Sequence, residues 1–314
     1  MKNINKTWLF LIITFAISYS IVGIFWLLGG EYKGWQSYVI AVVYMFVPFI
    51  AALLVTRVIH EDNIKSNLLI RFKINKWFFA GWLIPVFLAL LTFGVSLMMP
   101  DVEYTTEMAG MFERFEQTLP ADQIAEMKRQ AEEFPVHPFW IALLQGLIAG
   151  FTINAIAGFG EEAGWRGFMV RQFSNINFFK AALIIGFVWG IWHAPLILQG
   201  HNYPEHPQLG VIFMTIWCIL LSPLFLYIAI KSGSSVAAAI MHGTLNASAG
   251  IPLILIEGGS DLTVGVTGIA GFISLAAGIL ALYLYDTFIT GEKVMMSRVG
   301  RYLLPEEEYL KRKR

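Results

Sequence analysis

Apolar runs long enough to cross a lipid bilayer recur along this chain, and no other feature restricts its fold so severely. A membrane-spanning helix needs about 20 mostly apolar residues, and such runs fall at roughly 7–30, 34–56, 77–100, 139–160, 181–200, 209–230, 232–256 and 262–285. With 57% hydrophobic and only 14% charged residues, the composition lies well outside the range of soluble globular domains. The expectation is therefore an all-α fold: a polytopic membrane helical bundle of about eight transmembrane helices, forming a single membrane domain over residues 1–314. The first run is too long for a signal-peptide core and no A-x-A cleavage site follows it, so a retained helix is expected. Cys218 is the lone cysteine, which leaves no disulfide framework.

Net charge is zero, but the cations are unevenly placed. With the amino terminus inside, 18 of the 22 lysines and arginines fall on the cytoplasmic side and only Lys33, Arg114, Lys128 and Arg129 fall outside. The positive-inside rule then predicts an integral membrane protein, of the cell membrane if bacterial, with both termini cytoplasmic. The one large connection, 101–138, has Met108, Met111, Phe112 and Phe115 at helical spacing. It reads as two short amphipathic helices on the outer face, either a solvated cap or a lid. The tail "KRKR" beside the last helix reads as a topological anchor or a contact to anionic lipid, with no nucleic-acid partner expected. Gly160 and Gly164, like Gly186 and Gly190, have the spacing that lets membrane helices approach closely.

Ionisable groups at membrane depth cost about 2.5–3.5 kcal/mol each on insertion scales, so the few present are functional candidates. They are Glu161, Glu162 and Arg166 in "GFGEEAGWRGF", His193 in "FVWGIWHAP" and His242 in "AAAIMHGTLNASAG", with Asn246 four residues on. From the cytoplasmic helix ends, Glu161 should lie roughly 15 Å deep, His193 roughly 20 Å and His242 roughly 14 Å at 1.5 Å per residue. Three helices thus bring their polar groups to one layer, expected in the inner half of the bilayer. Glu162 and Arg166, four apart, can neutralise each other on one helix face, which leaves Glu161 unpaired. His242 and Asn246 share another face. A carboxylate, two imidazoles and an amide are what amide hydrolysis needs: a base or metal to activate water, and donors for the oxyanion.

Glu161-Glu162-x-x-x-Arg166, a histidine in the next helix and His242-x-x-x-Asn246 together resemble the CPBP family of intramembrane proteases, the CAAX proteases and bacteriocin-processing enzymes. The resemblance covers about 90 residues, 158 to 250. It implies that Glu161 and His193 activate the attacking water, that His242 and Asn246 form the oxyanion hole, and that Glu162 and Arg166 support them. The family usually has Phe four residues before the second-motif histidine; here that position is Trp189, implying an altered pocket shape with the chemistry kept. Glutamate-based and metal-dependent routes both fit the set. In the second, Zn2+ would be held by Glu161, His193 and His242 with one position open, although no H-E-x-x-H accompanies them.

The reading is an endopeptidase whose core helices lie within 139–256, cleaving near the cytoplasmic leaflet. Its partners would be membrane lipids and a membrane-associated peptide or a lipidated, in some relatives prenylated, protein tail. A proton- or ion-coupled transporter is the competing use of such a polar belt, but no internal repeat or paired broken helices support it. A non-proteolytic scaffold or immunity protein is the other alternative, and intact motifs argue against it. Pro195 should bend the helix near the site. His60, His137, His201 and His206 sit in loops and are assigned no role.

Overall fold

The computed structural model describes residues 5–32, 34–60, 62–116, 119–133 and 135–303. Lys33 and the basic tail lie outside the described residues. Five helices are long and apolar enough to cross a membrane: α1 (Lys6–Leu27), α2 (Gly34–Leu53, continued by a π-turn to Ile59), α3 (Lys76–Ser96), and two further on. Between α3 and the next span lie the outer helices α4 (Ala109–Glu116) and α5 (Ala121–Glu133), as their apolar spacing predicts. The sixth span is a broken one: α6 (Pro138–Phe151) and α7 (Ile153–Glu162, continued through a π-helical stretch Ala163–Met169) meet at a 51° bend. Thr152 stands at the break, its hydroxyl donating back to the Ile148 carbonyl at 2.7 Å, a local bond that competes with the helical ladder.

Two of the eight expected spans are shorter than expected. α8 runs only Phe178–Trp192, because His193 closes it and Pro195 cannot supply the next amide donor. α9 (Pro207–Ser232) is full length and ends on Gly233 in the left-handed conformation, φ 66°, which glycine adopts without strain. α10 then runs Ser235–Ser248, and Gly250 and Pro252 interrupt what hydropathy reads as one continuous span. α11 (Ile269–Leu284, with a π-turn to Ile289) completes the bundle. The apolar spans and the absence of any sheet beyond one short strand pair among the described residues give the expected all-α membrane bundle, and the protein is an integral membrane protein.

The connections gather into two opposite faces. At one, Ser234 Oγ donates to the Arg71 carbonyl at 2.5 Å, Phe178 N to Ser297 O and Val299 N to Ile176 O at 3.0 Å, and Lys231 pairs with Glu292. At the other, strands β1 (Val102–Tyr104) and β2 (Ile256–Gly258) pair antiparallel, Val102 opposite Gly258. Tyr203 Oη donates to Thr267 O at 2.8 Å and Asp261 accepts the backbone amides of Glu205 and His206. The outer helices are tied to this face by a small apolar cluster of Met108, Phe112 and Ile254, and by Arg114 donating to Gly258 O at 2.6 Å.

Close helix contacts hold the middle together. A methyl group at Gly160 would come within 2.6 Å of the Met45 carbonyl on α2, and one at Gly186 within 2.7 Å of Cys218 O on α9. The small-residue pairs therefore serve packing, which draws α7 onto α2 and α8 onto α9.

Candidate active site

Glu161 and Glu162 end α7 on consecutive positions, about 100° apart around the axis, and both are almost fully buried. Their surroundings differ. Glu162 Oε1 receives Arg166 Nη1 at 3.0 Å and His242 Nδ1 at 2.9 Å. Arg166, fully buried, has its guanidinium carbon 4.2 Å from the Trp189 ring centre and 4.6 Å from that of Phe225. Two aromatic rings in contact with it suit the weakly hydrated, planar guanidinium and recover part of its desolvation cost. Removing either member of this pair would strand a buried charge.

Glu161 has no cation of its own. Its Oε2 accepts the Trp189 indole N–H at 2.6 Å, while Oε1 stands 3.9 Å from His242 Nε2. One oxygen is fixed and the other is open toward the cavity. Trp189 was expected only to alter the pocket's shape; the structure gives it a hydrogen bond to the candidate catalytic acid, which phenylalanine at that position has no atom to make.

The histidine tautomers follow from their partners. His193 Nδ1 lies 2.8 Å from the Trp189 carbonyl, which can only accept, so Nδ1 carries the proton and Nε2 is left as an acceptor. The chain around His193 is fixed by Tyr44, whose hydroxyl donates to the Trp192 carbonyl, and by Trp192 Nε1 donating to Ser18 Oγ at 2.8 Å. His242 is oriented in the same way, with its Nδ1–H facing the Glu162 carboxylate and Nε2 facing Glu161. Asn246, one turn on along α10, is the exposed member of the set.

Glu161, Trp189, His193, His242 and Asn246 all line one cavity of about 600 Å³. Glu162 and Arg166 do not line it and sit behind it. The sequence thus identified a set that does converge. The other lining residues include Arg114, Asn202, Glu205, Asp261 and Thr267, all from the face that carries β1, β2 and the outer helices. Phe225, under the guanidinium, and Cys218, whose Sγ lies 3.9 Å from His193 Nδ1, were not foreseen. Both lie in an apolar helix whose sequence marks neither.

The same set can be tested as a zinc site. Tetrahedral zinc with ligand bonds of about 2.0–2.2 Å places its donor atoms about 3.3 Å apart. Glu161 Oε1 and His242 Nε2 are 3.9 Å apart, and His193 does not join them within 4.8 Å. As arranged, the three do not form a metal site. Among the described residues, Glu205, His206 and Asp261 are the group gathered that tightly, and Asp261 there is engaged by the His206 ring at 2.7 Å and by two backbone amides.

Residues 136–248 match the family described as type II CAAX prenyl endopeptidase Rce1-like. The matched stretch runs from the start of α6 to the end of α10 and contains all seven residues of the expected site. A 58-residue stretch is 36% identical to CAAX prenyl protease 2 of Methanococcus maripaludis, covering 18% of this chain and 20% of that protein. The alignment thus spans about one fifth of the length of this curated relative.

Proposed function

Because the chain belongs, through residues 136–248, to the CPBP family of CAAX-type membrane endopeptidases, we propose that it is an intramembrane endopeptidase in which Glu161 activates water. The observation that carries this reading is the asymmetry of the two carboxylates. Glu162 meets Arg166 and His242 through Oε1 and lies behind the cavity, whereas Glu161 lines the cavity that His193, His242 and Asn246 also line.

In the reaction, a water held between Glu161 Oε1 and His193 Nε2 gives a proton to Glu161 as its oxygen bonds to the scissile carbonyl carbon. The indole N–H on Oε2 keeps that carboxylate from rotating. The developing oxyanion is met by the Asn246 amide N–H and by His242. For His242 to donate there its Nε2 must carry a proton while Nδ1 also carries one, and the facing Glu162 carboxylate balances that imidazolium. Glu161 then returns its proton to the amide nitrogen, the C–N bond breaks, and a carboxylic acid and an amine leave, the acid's proton passing to the amine. Fixed donors aimed at developing charge are the large contributors in acyl-transfer catalysis. The substrate would be a membrane-associated peptide or protein tail, and both termini of the chain would be cytoplasmic.

The test is cleavage of internally quenched peptides, lipidated and unlipidated, by the purified full chain and by its Glu161→Ala, His193→Ala and His242→Ala variants, with and without a chelator. Loss in all three with no effect of chelation is the expected pattern. Full activity in Glu161→Ala would remove the central assignment, and flux in proteoliposomes without peptide products would favour a transporter.

A further inference from the structure

We infer that the cavity opens to the extracytoplasmic side of the membrane, so that the enzyme takes polypeptide segments presented from outside the cell. This rests on the peptidase reading and extends it to the substrate's location.

Three observations carry it. The first is where the cavity leads. Its deep end holds Glu161, His193 and His242, and its rim is built from 198–206, 250–267 and Arg114. None of its lining residues comes from 60–75, 172–178, 232–235 or 290–303, the connections that make up the opposite face.

The second is why the space exists at all. α8 has 15 residues and α10 has 14, so each rises only about 21–23 Å at 1.5 Å per residue against a hydrocarbon core of about 30 Å. Both start at the face of 172–178 and 232–235 and stop short of the other. After a short break each continues for one helical turn, Ala194–Ile197 and Ile251–Ile254, and then gives way to non-helical chain, 198–206 and 256–268. Irregular backbone is tolerated at membrane depth only where protein buries it or where it lines a water-filled cavity. The cavity lies against these broken ends, lined by Leu196 and Leu253 of the short turns and by the non-helical chain beyond them, and it is wet from that end.

The third is charge, which assigns the faces. The closed face carries Lys65, Arg71, Lys73 and Lys76 around one connection and Lys293, Arg298 and Arg301 around another. The cavity face has Arg114, Lys128 and Arg129 as its described cations. Lys128 is paired with Glu116, Arg129 with Glu126 and Glu133, and Arg114 is spent on backbone carbonyls. Cations flanking spans are retained in the cytoplasm, which makes the closed face cytoplasmic. A tail lipidated in the cytosol would have to cross the bilayer to reach Glu161; an exported or outer-leaflet peptide would not.

The experiment is impermeant maleimide labelling of the full chain in spheroplasts, using Glu205→Cys at the rim and Lys73→Cys at the opposite face, with the buried native Cys218 as the unlabelled background. Glu205→Cys is expected to label in intact spheroplasts and Lys73→Cys only after lysis; the reverse pattern overturns the inference. A second arm adds an impermeant quenched peptide that the detergent-solubilised protein cleaves to sealed right-side-out and inside-out vesicles. Cleavage confined to right-side-out vesicles supports the inference, and cleavage confined to inside-out vesicles overturns it while leaving the peptidase reading intact. If detergent-solubilised protein cleaves nothing, the peptidase reading fails and the labelling still decides the side.

Discussion

Trp189→Phe isolates the contact that distinguishes this site from an ordinary reading of its motifs. The substitution keeps an aromatic ring between Arg166 and the cavity but deletes the indole N–H that meets Glu161 Oε2 at 2.6 Å. A hydrogen bond to a charged partner contributes about 1.5–3 kcal/mol, and each 1.36 kcal/mol on a barrier is tenfold in rate, so kcat should fall by about 10- to 150-fold. Because the indole acts on the base, kcat should carry most of the loss. The assay is steady-state cleavage of a quenched peptide by the detergent-solubilised variant, with its thermal midpoint measured in parallel. A variant with unchanged kcat and unchanged folding would refute the positioning role.

Glu162→Ala leaves the fully buried Arg166 without its ion pair and should cost about 3–5 kcal/mol, read as a large drop in thermal midpoint. The double variant Glu162→Met with Arg166→Met should recover most of that stability, since apolar replacement of a buried pair is often neutral, yet stay inactive because His242 Nδ1 has lost its acceptor. His201, in the 198–206 rim and bonded through Nδ1 to Tyr32 at 3.1 Å, has its pKa pushed down to about 4 by burial. Between that value and the ordinary 6.5 the unfolded chain binds the extra proton, so stability should rise with pH across this window, and His201→Gln should flatten the slope of thermal midpoint against pH.

The parts of the fold that were readable before any coordinates are those written in local pattern. Hydropathy marks every span, and the spacing of Met108, Met111 and Phe112 gives the outer helices. What it misses lies in long-range geometry. Residues 194–200 and 251–256 are as apolar as the helices before them, so only Pro195 and Pro252 hint that α8 and α10 end early. The pairing of Val102 with Gly258 and the stacking of Phe225 under Arg166 join segments far apart in sequence. The rim of the cavity was not legible for the same reason, since it is made of loop residues with no periodicity. The six polar candidates, Glu161, Glu162, Arg166, His193, His242 and Asn246, were legible because each is anomalous against an apolar background, which is a local property.

Adjacent carboxylates with opposite duties give the sharpest remaining test. Glu162 is built into the packing by Arg166 and His242, and its charge is balanced where it sits. Glu161 has a neutral donor on one oxygen and, facing the other, His242 Nε2 at 3.9 Å, beyond hydrogen-bond reach, so part of its buried charge is a cost the fold carries. Glu161→Gln keeps a carbonyl oxygen for the indole and deletes that cost, so its stability should match or exceed the parent, while cleavage falls by the ~10²–10⁴-fold that general acid–base catalysis contributes. Glu162→Gln should do the reverse in order: stability falls first, and activity falls because the folded fraction and the His242 orientation fall with it. Measuring thermal midpoint and specific activity for both variants separates the two. If Glu161→Gln destabilises as much as Glu162→Gln, and activity per folded molecule is equal in the two, the acids share one structural role and Glu161 is not the base.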